Sequence, residues 1–147
     1  MGTIPRYRRV GYAWLAFALA VAVHVTDEAM HDFLATYNPT ARAIREQLPF
    51  LPLPTFSFPV WLGGLIAGIA LLLLLSPLAF RGNARLRLIA LPLAVVVGVF
   101  NSLGHIGSSI YMERWMPGVY SAPLLLVAAV WLLAAAGWMR PRVRTYS

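Results

Sequence analysis

The sequence predicts an all-α integral membrane protein, a four-helix transmembrane bundle, and three observations support this class. Of the 147 residues, 60% are hydrophobic and only 12% are charged, which excludes an ordinary soluble domain. The apolar residues form four runs long enough to cross a bilayer core, which takes about 20 helical residues. All arginines lie outside those runs. We therefore interpret residues 1–147 as a single transmembrane domain.

The four apolar runs define the expected helices, which are residues 10–33, 58–80, 88–111 and 119–139. The start of the first run, with its arginines and the Ala20-Val21-Ala22 triplet, also resembles a cleavable secretory signal. We favour a retained helix, because the residues after Ala22 continue the helical pattern. In the second run, Gly64 and Gly68 permit close helix contact, either within the bundle or in a homodimer.

The connection formed by residues 34–57 is long for a bundle of this size. Its second half is rich in proline, which prevents a regular helix, and its aromatic residues suit the headgroup level of a membrane. We expect an outer interfacial loop that is either a spacer or a lid over a site. The later connections, around Arg81–Arg85 and Glu113–Gly118, are short, so the helices that they join are antiparallel neighbours.

The net charge is +7, and nine of the twelve arginines lie at three places, which are Arg6–Arg9, Arg81–Arg87 and Arg140–Arg144. With four crossings these places lie on one side, and the positive-inside rule then predicts cytoplasmic N and C termini in the cell membrane. The charge is thereby explained by topology and anionic lipids, and no nucleic acid partner is expected. The absence of cysteine excludes disulfides and thiolate metal sites.

Polar residues interrupt the first helix near its outer end. At about 100° per residue, His24, Asp27, Glu28 and His31 fall on one face. An isolated charged carboxylate at membrane depth costs about 2.5–3.5 kcal/mol, so these two carboxylates need partners. Asp32 lies off this face at the helix end, where we expect it to be solvated.

The third helix supplies candidate partners in Asn101, His105 and Ser108, which also share one face. The two sets of residues are also expected at the same depth in the membrane, because His24 lies fifteen residues beyond Arg9 and Asn101 lies fourteen residues beyond Arg87. The expected pairs are His24 with Asn101, Glu28 with His105, and His31 with Ser108. The sequence therefore predicts one polar cluster in the outer, extracytoplasmic half of the membrane, walled by the apolar second and fourth helices.

A metal site is the first interpretation of this cluster. Imidazole and carboxylate groups suit zinc or iron. Glu28 and His31 have the Glu-x-x-His spacing of carboxylate metal sites in helical bundles. We expect one ion held by Glu28, His105 and one or both of His24 and His31, with Asp27 orienting a ligand or acting as base and Asn101 positioning substrate.

Three alternatives stay open at this point. In a metal-free enzyme, Glu28 would transfer protons with His24 or His105 as its partner. In a small transporter or binding protein, the cluster would take up a proton or an ion. In a purely structural interpretation, the polar groups would form a hydrogen-bond network between helices.

The same residues bear a family resemblance. The His24-x-x-Asp27-Glu28 segment, Asn101-x-x-x-His105 and the stretch Pro117–Ala122 resemble the H-x-x-E-E domain family of small integral membrane proteins. The resemblance spans the chain from the first helix to the fourth, with Asp27 in place of the first glutamate of the motif. It implies an enzymatic site at these polar residues, and the architecture is similar to that of emopamil-binding-type sterol isomerases.

These observations favour a membrane-embedded enzyme that acts on a hydrophobic or amphipathic, lipid-like small molecule. The apolar helices would admit such a substrate directly from the surrounding membrane lipids. Turnover of an added lipid would favour the enzyme, whereas pH-dependent uptake without conversion would favour a transporter.

Overall fold

The computed structural model describes residues 5–137, apart from the side chain of Arg6, and all regular structure in this part is helical. The elements are α1 (Arg6–Met30), α2 (Phe33–Gln47), α3 (Phe58–Leu74), α4 (Ser76–Phe80), α5 (Ala84–Leu93), a π-helical segment (Ala94–Phe100), α6 (Asn101–Tyr111) and α7 (Ala122–Ala136).

Three of the four expected spans are long and apolar enough to cross a membrane. They are Tyr7–Met30, Phe58–Phe80 and Ala84–Tyr111, the last two being formed by α3 with α4 and by α5 through α6. In the described part, the fourth apolar helix is the shorter α7, which has 15 residues and a length of about 22 Å. The expected end of this helix at Met139 and the basic cluster Arg140–Arg144 lie outside the described residues.

The core of the bundle lies between α1 and α7. Trp14 and Phe17 of α1 and Leu125 and Leu132 of α7 are fully buried. Small residues on these helices bring the backbones close together, and the burial of so many apolar side chains stabilises the packing. Trp14 also donates its indole N–H to the carbonyl of Leu72 at 2.8 Å, which joins α1 to α3.

The third span changes its winding just before the polar residues of α6. Pro92 lies inside α5 and has no N–H to donate, and the π-helical turns begin two residues later at Ala94. Within this segment Gly98 packs so closely on α7 that an added Cβ would overlap the Ala129 side chain. The wider turns therefore set the rotation at which Asn101 begins α6.

Residues 34–57 were predicted to form a loop, and this prediction was wrong for the first part of the segment. The first helix ends at Met30, the chain turns at Asp32 with a left-handed φ of 53°, and α2 then runs from Phe33 to Gln47. Burial of one face, including Leu34 and Ala41, stabilises this helix although Pro39 removes one of its hydrogen bonds.

The Pro-rich half of the connection, residues 48–57, is not helical and lies against α2. Asn38 binds both main-chain groups of Phe56, donating to the carbonyl at 2.9 Å and accepting from the N–H at 3.0 Å. The hydroxyl of Tyr37 donates to the carbonyl of Pro54 at 3.0 Å. The connection is thus a helix with an extended strap fastened to it.

Candidate metal centre

Three buried side chains from α1 and α6 converge inside the bundle. Glu28 Oε1 lies 3.0 Å from His105 Nε2 and 3.7 Å from His24 Nε2. One ligand atom from each of the three residues lies within 4.8 Å of the others. All three are at most 7% exposed. We call His24, Glu28 and His105 the central cluster, and its geometry could hold one metal ion.

The ring nitrogen of His105 that points away from Glu28, here called the outer nitrogen, is hydrogen-bonded to the main chain. Its Nδ1 lies 2.6 Å from the carbonyl oxygen of Pro117, which can only accept a hydrogen bond. Nδ1 therefore bears the proton and donates it. In the neutral ring, Nε2 then presents a lone pair to Glu28.

The outer nitrogen of His24 is held by a second carboxylate through a serine. The Ser121 hydroxyl donates to Asp27 Oδ2 at 2.7 Å, and the Ser121 N–H donates to the same oxygen at 2.9 Å. The amide nitrogen of Asn101 can only donate, so His24 Nε2 accepts from it at 2.8 Å. In the neutral ring Nδ1 then bears the proton, which it donates to the Ser121 hydroxyl oxygen at 2.8 Å.

The lone pair of His105 therefore faces a carboxylate, whereas that of His24, 3.7 Å from the same oxygen, is occupied by the Asn101 amide. Glu28 Oε1 and His105 Nε2 are electron-pair donors only 3.0 Å apart, and they repel each other unless a proton or a metal ion lies between them. Histidines that ligate metals almost always donate their other N–H to a carbonyl, a carboxylate or water, which fixes the tautomer. His105 does so directly to Pro117, and His24 does so through Ser121 to Asp27.

The turn before α7 fits closely around the central cluster. Gly118 has a left-handed φ of 84°, and an added Cβ would lie 2.8 Å from the His105 ring and 3.0 Å from His24. Pro117 and Ser121, on either side of Gly118, supply the contacts to the two histidines. Sequence reasoning gave these residues no role in the site, although they lie in the Pro117–Ala122 stretch that bears the family resemblance.

The structure brings together most of the predicted site residues. The expected contacts of His24 with Asn101 and of Glu28 with His105 are confirmed. Asp27 is buried but lies behind the central cluster, where it reaches His24 through Ser121.

His31 was predicted to join the other histidines, and the structure places it elsewhere. Its Nδ1 lies 2.8 Å from both the main-chain carbonyl and Oδ1 of Asp27, its side chain is 48% exposed, and its ring packs on Tyr120. The expected contact with Ser108 is wrong, because Ser108 instead donates to the carbonyl of Gly104 at 2.7 Å. α1 ends at Met30, so His31 is its capping residue, and its ring lies against Asp27 and Tyr120 instead of against α6.

Two cavities reach the polar residues. One of about 550 Å³ lies between α2 and α6 and touches Asn101 and His105. The other, of about 300 Å³, is mostly apolar and touches His24, Glu28 and Asn101. Phe33 lines both cavities, and its ring centroid lies 5.7 Å from that of His105. A small molecule in either cavity would therefore contact residues of the site.

Comparison with known proteins gives a family and no activity. A family model described as a protein of unknown function with an HXXEE motif matches residues 14–132. No curated protein and no solved structure matches the chain. The matched residues include the whole central cluster, with Asp27 and Glu28 at the two acidic positions of the motif. Since the match extends over most of its length, the chain belongs to the HXXEE family.

Proposed function

We propose that the central cluster binds one zinc or iron ion, and that the protein is a membrane-embedded enzyme acting on a hydrophobic or amphipathic small molecule. One observation supports this above all others: His24 Nε2, His105 Nε2 and Glu28 Oε1 converge while the outer nitrogen of each histidine is held by an oxygen. Both catalytic zinc sites and non-haem iron sites use two histidines and one carboxylate.

The three proposed ligands would leave part of the coordination shell of the ion open for a substrate or a water molecule. Three protein ligands leave at least one position of a tetrahedral or octahedral ion open, as catalytic sites require. A bound ion would polarise a substrate carbonyl or activate a water molecule. Asp27 and Ser121 would orient His24, and Asn101, whose amide lies 2.8 Å from His24 Nε2, would be released to position substrate.

The proposed site lies in the outer half of the membrane, in a protein with four crossings and cytoplasmic termini. Tyr7 lies next to Gly82, so the start of α1 and the turn after α4 are at the same end of the bundle. Arg8, Arg9 and Arg81 are near these two places, and basic residues favour the cytoplasmic side.

A metal-free acid–base enzyme is the second candidate, and one contact favours it. The 3.0 Å distance between Glu28 Oε1 and His105 Nε2 suits a single proton shared between them. Such a pair would move a proton at a substrate carbon or oxygen without any metal.

Elemental analysis of detergent-purified protein tests the proposal. We expect about one zinc or iron ion per chain in the wild type, and less than a tenth of that in Glu28→Gln and His105→Ala. His31→Ala is the matched control, because it removes an imidazole that lies outside the central cluster and should leave metal content unchanged.

Lipid turnover by the same four proteins tests the enzymatic part. Activity that disappears together with the metal in the two cluster variants would support a metal-dependent enzyme. A folded wild type without metal would overturn the metal site. Turnover by that metal-free protein, abolished in Glu28→Gln, would establish the acid–base candidate.

A further inference from the structure

We propose that the cavity between α2 and α6 is the substrate site, and that it takes an uncharged amphiphile with a single hydroxyl or carbonyl head on a hydrocarbon body. This inference rests on the proposed function, because the head would lie at Asn101 and the central cluster. It narrows the substrate from lipid-like molecules in general to one chemical class.

The cavity is lined by one face of α2 and one face of α6. Thr36, Tyr37 and Thr40 line it from α2, and Gly104, Ser108 and Tyr111 line it from α6, at spacings of three and four residues that place each set on one side of its helix. Its volume of about 550 Å³ is within the range of roughly 300–1,000 Å³ that is typical of small-molecule sites.

The scarcity of charged side chains in the lining restricts the charge that the head group of the ligand can have. Apart from His105, the described lining contains no charged or titratable side chain other than two tyrosines. The arginines of the outer segments, such as Arg42, Arg45 and Arg114, do not line it. A phosphate or carboxylate head would lose its hydration without gaining a cationic side chain from the described lining, which is costly. Only the ion proposed for the central cluster could offset this cost, through a ligand position that a neutral hydroxyl or carbonyl oxygen can also take. A neutral head avoids that cost.

The hydroxyl groups of the wall further define the head. Thr40 donates to the carbonyl of Thr36 at 2.8 Å, and Ser108 donates to the carbonyl of Gly104 at 2.7 Å. Each hydroxyl hydrogen is therefore used within its own helix, and the oxygen keeps lone pairs that accept from a ligand hydroxyl. The amide of Asn101 and His105 of the central cluster supply the remaining polar contacts.

The body of the ligand would contact apolar surface. Phe33, Phe100, Met112 and Met116 also line the cavity, so most of its wall is hydrocarbon or aromatic. Burial of a hydrocarbon chain against such a wall is favourable by about 25 cal/mol per Å². A single polar head in an otherwise apolar cavity matches a lipid alcohol, or the aldehyde or ketone related to it.

Two glycines of α6 provide a matched test. Gly104 lines the cavity and Gly107 does not, and a Cβ added at either position would meet nothing within 4 Å. Gly104→Leu should therefore place a bulky side chain inside the cavity, whereas Gly107→Leu places the same side chain outside it. Both substitutions raise helix propensity equally. Gly104→Ala is a milder variant with the same direction of effect.

The probes are diazirine photolabels of hexadecanol, palmitate and phosphatidylcholine, added to the full chain in detergent. We expect the hexadecanol probe to label peptides of α2 and α6, and excess unlabelled hexadecanol to compete. Gly104→Leu should lower this labelling about fivefold or more, with Gly107→Leu unchanged. Circular dichroism and metal content are measured for each variant.

The outcomes test the hypothesis of substrate binding in the cavity separately from the hypothesis of metal binding. Equal labelling of Gly104→Leu and Gly107→Leu would overturn the cavity as the binding site. Labelling by palmitate or phosphatidylcholine as strong as that by hexadecanol would overturn the uncharged class. A wild type that holds metal but fails either test leaves the proposed function in place, whereas specific labelling of a metal-free wild type supports the cavity alone.

Discussion

At the scale of single residues, the site depends on what holds the far side of each imidazole. His105 is oriented by the carbonyl of Pro117 and His24 by the hydroxyl of Ser121, so Nε2 of each neutral ring is unprotonated. The Nε2 of His105 faces Glu28, and that of His24 accepts from the Asn101 amide. The conformation that permits both contacts is the left-handed turn at Gly118, which passes against the two rings without a side chain.

Substitution of Gly118 should damage the site beyond its effect on stability. Gly118→Ala and Gly82→Ala both place a Cβ at positive φ, and each should destabilise the fold by about 1–2 kcal/mol. Only the Cβ at position 118 would press on His24 and His105, so we expect metal affinity to fall about tenfold or more in that variant alone. Metal titration beside thermal unfolding checks this, and equal affinity of the two variants would contradict it.

At the scale of elements, α2 and the extended strap behave as one unit. The side chain of Asn38 closes a pair of hydrogen bonds with the main chain of Phe56, as another strand would. Phe33 and Tyr37 of α2 then pack their rings on Trp61 and Phe56. The α2 part of this unit forms one wall of the larger cavity, so its attachment to the strap bears on access to the site.

Loss of the Asn38 contacts should loosen the strap. In Asn38→Leu, the Phe56 amide hydrogen should exchange with solvent about fivefold faster or more, because two hydrogen bonds of about 1 kcal/mol each are lost. Thr40→Val is the control, since it removes a bond confined to α2. Hydrogen exchange read by mass spectrometry measures this, and unchanged protection of Phe56 in Asn38→Leu would refute the attachment.

At the scale of the whole molecule, one end of the bundle is basic and the other is built from the connections around the site. Arg8 and Arg9 start α1, and Arg81, Arg85 and Arg87 flank the turn between α4 and α5. The strap and the turn before α7 belong to the opposite end, beyond the central cluster. The proposed orientation therefore puts the site nearer to the outer surface.

The absence of natural cysteine makes this orientation easy to measure. Ala43→Cys in α2 and Ala84→Cys at the start of α5 are both at exposed positions. A membrane-impermeant maleimide added to intact cells should label Ala43→Cys, and should label Ala84→Cys only after permeabilisation. The reverse pattern would show that the topology is the opposite of the proposed one. Labelling of both variants in intact cells would show that α2 and the turn between α4 and α5 do not lie on opposite sides of the membrane.

Much of the site could be predicted from the sequence, because the rigid rise of a helix fixes depth and face together. Counting from the arginines at each helix start paired His24 with Asn101 and Glu28 with His105, and both contacts are present. The same argument failed at His31, since it assumed that α1 continues beyond Met30. Helix ends depend on local turns, which periodicity does not reveal.

The sequence by itself determined the all-helical class, three helices long and apolar enough to cross a membrane, and the residues of the central cluster, because hydrophobic length and helical spacing are local properties of the chain. Only the tertiary structure decided that Ser121 and Pro117 orient the histidines and that α2 forms a wall of the larger cavity. Those features join segments 12 to 97 residues apart along the chain. Such contacts follow from packing and from turn conformation, which spacing within a single helix cannot specify.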